Sequence, residues 1–135
     1  MNRYLNLIIT ACALLTAVAG VRLTAALAQT AAPQPTQITV TSGQNPSASN
    51  QSVIFTATVE GMLPNSGVPT GVVEFFAGPM PMGKATLVNS NGIATASVTV
   101  QMAPGYYPVL ARYYGDTNFA FGLSMPPLTQ QVLGQ

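Results

Sequence analysis

The 135-residue sequence contains no histidine and a single cysteine, Cys12. The side chains that most often carry acid–base, thiolate and zinc chemistry are therefore almost missing. Glu60 and Glu74 are the carboxylates to weigh for paired acid–base work, but both fall at outward positions of alternating segments, where a solvated or paired surface charge is the ordinary outcome. Asp116 and Asn118, inside Gly115-Asp116-Thr117-Asn118-Phe119, offer oxygens of the kind calcium takes. Calcium needs about six to eight of them, so capping of a turn fits these two residues better. Met80-Pro81-Met82, with Met62, Met102 and Met125, presents thioethers that suit Cu(I). Methionine also fills irregular core edges, and that is the simpler use. The sequence has no tryptophan, and its tyrosines mostly alternate inward, so sugar-stacking platforms are weakly supported. These residues predict no enzyme, no cofactor and no bound metal.

Charge is equally sparse. Charged residues make up 5% of the chain, against a usual share of roughly 25%. Hydrophobic residues make up 48%, and Thr, Ser, Gln and Asn supply most of the polar surface. Four basic and three acidic residues cannot form the basic stripe that phosphate neutralisation requires, which excludes nucleic acid as a partner. The length suits one domain.

The N-terminal segment has the form of an export signal. Arg3 precedes an apolar run over 4–21, and Ala26-Leu27-Ala28 gives a small-x-small cleavage site before Gln29. The segment predicts a signal helix over 1–28, removed after Ala28, so that no membrane attachment follows cleavage. Two alternatives stay open: lipidation at Cys12 within Ile9-Thr10-Ala11-Cys12, and retention of the run as an anchor closed by Arg22. Residues 29–36 carry Pro33 and Pro35 among small polar residues and read as a linker. Cleavage would remove the sole cysteine, leaving Lys84 and Arg112 facing Glu60, Glu74 and Asp116.

Beyond residue 36 the pattern has period two. Ile38 and Val40 open a first strand, which ends at the turn residues 42–46. In 53–60, Val53, Phe55, Ala57 and Val59 alternate with Ile54, Thr56, Thr58 and Glu60, placing one apolar set on one face. The Gly- and Pro-dense stretch 61–69 is a loop. Strands are then expected over 72–76, 84–88, 93–101, 107–114 and 128–133, separated by turns at 78–83, 89–92, 103–105 and 115–122. Ala94, Ala96, Val98 and Val100 are expected to face inward, as are Phe55, Phe75 and Tyr113. About seven strands without helical periodicity give an all-β, antiparallel sandwich.

The strings Asn45-Pro46, VIFTATVE at 53–60, PTGVVEFF at 69–76, GKATL at 83–87, GIATASV at 92–98, APGYYPVLARYYGDTNF at 103–119 and LTQQV at 128–132 resemble one repeat of the bacterial Ig-like domain-repeat family. The resemblance covers 37–133 and implies an antiparallel, seven-stranded immunoglobulin-like β-sandwich. It also implies a non-enzymatic structural or interaction module of the bacterial envelope or extracellular space, acting in protein–protein contact or adhesion. A small-ligand or carbohydrate-binding module, or an accessory domain of an exported enzyme system, is the alternative. Destination is expected to be extracellular, cell-surface or periplasmic. In that family the repeat usually occurs in tandem; here there is one copy. Tyr107, just after a Pro-Gly corner, suits a tyrosine corner, in which the hydroxyl returns to upstream backbone.

In such a sandwich the third and sixth strands are antiparallel neighbours. The outward set Val72, Glu74, Phe76 then lies beside Leu110, Arg112, Tyr114. Pairing Glu74 with Arg112 puts Val72 opposite Tyr114 and Phe76 opposite Leu110, an apolar patch with an expected central ion pair. This is the candidate interaction face, for another protein or a second copy.

Overall fold

The computed structural model describes residues 31–135. The expected cleavage site after Ala28, Cys12 and the expected N-terminal helix lie outside the described residues. Strand β3 (Ser52–Gly61) shows why the alternation matters. Val53, Phe55, Ala57 and Val59 are buried while Ile54 and Glu60 are exposed. On either side of it lie β1 (Thr36–Ser42) and β7 (Ile93–Gln101), both antiparallel, and β6 (Val88–Ser90) pairs with β7. The order is β1-β3-β7-β6.

The second sheet pairs β4 (Val72–Ala77) with β5 (Met80–Thr86) and β8 (Gly105–Tyr113). β10 (Leu128–Leu133) flanks β8, and the short β2 (Ser47–Ala48) adds to it in parallel. β9 (Gly122–Leu123) continues the pairing of β8 beyond β10. The order is β2-β10-β8-β4-β5. Inward residues of the two sheets form one cluster. Small Ala57, Ala94 and Ala96 on the first sheet share it with bulky Phe75 and Tyr113 on the second. Alternating large and small residues across facing sheets is how a sandwich core fills without voids. The two orders reproduce the four-strand and three-strand sheets of the immunoglobulin arrangement, with β5 and the short β2 and β9 added to the second.

Ten strands form among the described residues, rather than the seven expected. The additions β2, β6 and β9 are two or three residues long, too short for periodicity to reveal. The strand expected over 84–88 starts at Met80, so the turn expected over 78–83 shrinks to Gly78-Pro79. A register shift between Phe75 and Phe76 absorbs the difference, with Gly83 at φ 145° beside it. Pro81 is tolerated because β5 is an edge strand. Thr36, the last residue of the stretch read as a linker, opens β1. Just before it, Gln34 donates its N–H to Asn118 O (2.7 Å) and Pro35 O accepts from Met62 N (3.0 Å).

Candidate interaction face

The outer face of the six-stranded sheet is assembled by register. Glu74 lies opposite Lys84 on β5 and opposite Arg112 on β8, and Arg112 in turn lies opposite Leu123 on β9. Directly paired residues share a face, so Lys84, Glu74, Arg112 and Leu123 form one row across four strands. Phe76 faces Leu110 in the neighbouring row. Tyr114 donates its N–H to Val72 O at 3.2 Å. The six candidate residues therefore come together on one surface.

Their electrostatics differ from the expected central ion pair. Glu74 Oε1 stands 4.0 Å from Lys84 Nζ, and Glu74 Oε2 accepts the Tyr114 hydroxyl. Lys84 also lies 5.4 Å from the Tyr114 ring centroid. Arg112 instead lays its guanidinium over Phe76, 5.0 Å from the ring centroid. The cause is geometric. A planar guanidinium gains by lying flat on an aromatic ring, which turns it from the carboxylate, while the flexible lysine stem on the other neighbouring strand reaches it. Arg112 Nε has no hydrogen-bond partner among the described residues.

The face extends past the residues legible in sequence. Tyr106, 71% exposed, lies opposite Gln131 and accepts from its Nε2 at 3.0 Å. Leu123 is 43% and Tyr114 46% exposed. The period-two spacing of Tyr106 with Leu110 carried a signal for the first. Leu123 had none, because it follows an irregular loop.

The other candidate groups serve the fold. Glu60 and Glu74 project from the outer faces of different sheets, so they cannot act as a pair. Asp116 Oδ1 accepts from Asn118 N (2.7 Å) and Phe119 N (2.8 Å), and Oδ2 from Thr70 N (2.9 Å) and Thr70 Oγ1 (2.7 Å). Partial burial pushes this carboxyl upward, but the Thr70 side chain and the three backbone amides outweigh it and bring the pKa down to about 2. A carboxylate so engaged caps a turn. Tyr113 donates to Thr70 O at 2.7 Å; burial, then the Asp116 charge, holds its hydroxyl well above the usual phenol range. Tyr107 donates to Ala103 O at 3.0 Å, four residues upstream, the tyrosine-corner geometry.

Met80, Met82 and Met102 border one cleft of about 310 Å³ beside Tyr107, whereas Met62 and Met125 border another. The methionines thus do not gather at a single point. No group of three or more His, Cys, Asp or Glu side chains suited to a metal occurs among the described residues. No helix there is long and apolar enough to cross a membrane.

No curated protein matches the chain. The family model for the bacterial Ig-like domain (group 3) matches residues 38–133, from the third residue of β1 to the last of β10. With that match spanning both sheets, the chain belongs to the bacterial Ig-like domain family (group 3).

Proposed function

We propose that the protein is an exported Ig-like module of the bacterial envelope or extracellular space that binds another protein through the outer face of its six-stranded sheet. The observation that carries this reading is the line of Tyr106, Leu110, Arg112 and Tyr114 on the outer side of β8 and its end, with Leu123 opposite Arg112, whose guanidinium already stacks on Phe76. Tyrosine and arginine are enriched at protein interfaces, because each joins a large contact area to a polar end. Export is supported by Arg3, the apolar run 4–21 and Ala26-Leu27-Ala28.

Two measurements test the reading. Intact-mass analysis of the secreted or envelope fraction is expected to give an N-terminus at Gln29. A full-length mass, or a lipid adduct on Cys12, defeats that part. For the face, Val72→Thr with Leu110→Thr keeps β-branched or strand-tolerant residues at half-buried positions, so the fold is retained while apolar contact is lost. A photo-crosslinker placed at Tyr106 is expected to capture one defined partner in envelope extracts, and the double variant to reduce that capture. Equal capture from Ile54, on the outer face of the opposite sheet, removes the assignment.

A further inference from the structure

The sandwich has five edge strands, and they are unequally protected. β2, β9 and β6 are only two or three residues long. β5 carries Pro81, Lys84 and the register shift against Phe75 and Phe76, each of which discourages pairing with another chain. β1 has none of these features between Gln37 and Thr41; only at its start does a loop flank it, where Gln34 pairs with Phe119 and Thr36 Oγ1 donates to Ala120 O at 3.2 Å. Its seven residues, Thr-Gln-Ile-Thr-Val-Thr-Ser, run in unbroken register with β3 and include no charge and no proline. An edge of that kind is a template for an added strand.

The ladder shows which groups are free. Gly43 N–H donates to Ile54 O and Met62 N–H to Pro35 O, bracketing β1 at its two ends. Along an antiparallel ladder, alternate residues turn their main-chain groups toward the partner. Gln37, Thr39 and Thr41 therefore bond β3, and Ile38 and Val40 turn their N–H and C=O to the open side. Beside that side runs an open cleft of about 560 Å³, bordered by Met62, Leu123, Met125 and Pro126 and lined by no charged side chain.

We propose that β1 pairs antiparallel with β1 of a second copy, about a twofold axis through Thr39. The residues select this register. Ile38 meets Val40, Gln37 meets Thr41, and Thr39 meets its own copy, so β-branched apolar residues face each other and polar residues do likewise; Thr36, flanked by Ala120, lies beyond the paired stretch. The parity agrees, because Ile38 and Val40 then form the hydrogen-bonded pairs, each exchanging two main-chain bonds. Exposed Gln37, Thr39 and Thr41 continue the outer surface of the joined sheets. Lys84 and Arg112 against Glu60, Glu74 and Asp116 leave the domain near neutrality, so two copies meet without strong repulsion. This surface shares Leu123 with the outer face of the six-stranded sheet, but the pairing runs through the main chain of β1, and neither assignment depends on the other.

Disulfide mapping in the full chain carrying Cys12→Ser tests the register. Thr39 opposite Thr39 is a non-hydrogen-bonded pair, with Cα atoms about 4.5 Å apart, within disulfide reach. On mild oxidation Thr39→Cys is expected to give a covalent dimer, and Gln37→Cys or Thr41→Cys alone very little. Mixing the Gln37→Cys and Thr41→Cys proteins is expected to restore the link. In sedimentation equilibrium the Cys12→Ser chain is expected to dimerise reversibly. Thr39→Lys should weaken this roughly three- to tenfold at low salt by setting like charges opposite each other, with melting unchanged and partner capture through Tyr106 intact. A monomer up to millimolar concentration, equal linking from all three single thiols, or undiminished dimerisation of Thr39→Lys overturns the proposal.

Discussion

Asp116 ties the loop after β8 to the loop before β4, since each of its oxygens serves a different segment. Replacing it with Asn removes the acceptor that Thr70 uses. The expected loss is about 1–2 kcal/mol at neutral pH, after allowance for solvent screening at a partly exposed site. The pH dependence has a definite sign. A carboxyl lowered to about 2 in the folded state, against an ordinary value near 3.9, contributes fully above about pH 4 and loses its contribution as pH falls through about 2. Urea melts of wild type and Asp116→Asn should thus differ at pH 7 and converge toward pH 2; a constant gap contradicts the account. At this scale the apolar core was legible, because strict alternation marks Phe55, Phe75 and Tyr113, each fully buried. Gln130 was not. It is buried at 0% exposure, with Nε2 donating to Gln44 O (2.9 Å) and Ser47 Oγ (3.2 Å), and Oε1 accepting from Ser42 Oγ (2.6 Å). Its type indicates a surface residue, and only the folding of residues 42–47 over it supplies the partners that make burial tolerable.

Among the elements, turns announced by particular residue types were read correctly where one local conformation decides the outcome. The β6–β7 hairpin turns on Asn91 and Gly92, with φ of 52° and 84°, the two positive values that a type I′ turn requires. Asn89 Oδ1 accepts from Gly92 N at 3.0 Å. A Cβ at Gly92 meets nothing within 4 Å, so Gly92→Ala isolates backbone strain from steric contact. The substitution is expected to cost about 1–2 kcal/mol, read from the shift in denaturation midpoint; stability equal to wild type refutes the turn assignment. The β4–β5 hairpin was read incorrectly for the opposite reason. Gly78, Pro79, Pro81 and Gly83 each signal a break, but two of the four sit within an edge strand whose outer main-chain groups need no partner. The identity of Glu74's partner lay beyond local pattern as well. A central residue has a neighbour on each side, and only side-chain geometry chose Lys84 over Arg112.

Across the described domain as a whole, stability comes from one apolar core. The described residues contain no cysteine, and no metal-suited cluster occurs among them. A sandwich of this size has roughly 5–15 kcal/mol of net stability, while deleting a buried phenylalanine side chain costs about 3–5 kcal/mol. Phe55 sits in the middle strand of its sheet, opposite Ser42 on β1 and Val98 on β7, so neither neighbour can close inward without disturbing a ladder. The cavity is therefore expected to persist in Phe55→Ala, putting the loss toward the upper end of that range. Calorimetry should show Phe55→Ala melting far below wild type or already unfolded at 25 °C, with both proteins unaffected by a thiol reductant. Melting within error of wild type would show that β3 does not carry the core. A reductant-sensitive midpoint would show instead that Cys12 is retained and bonded to another molecule, since the two sheets contain no cysteine.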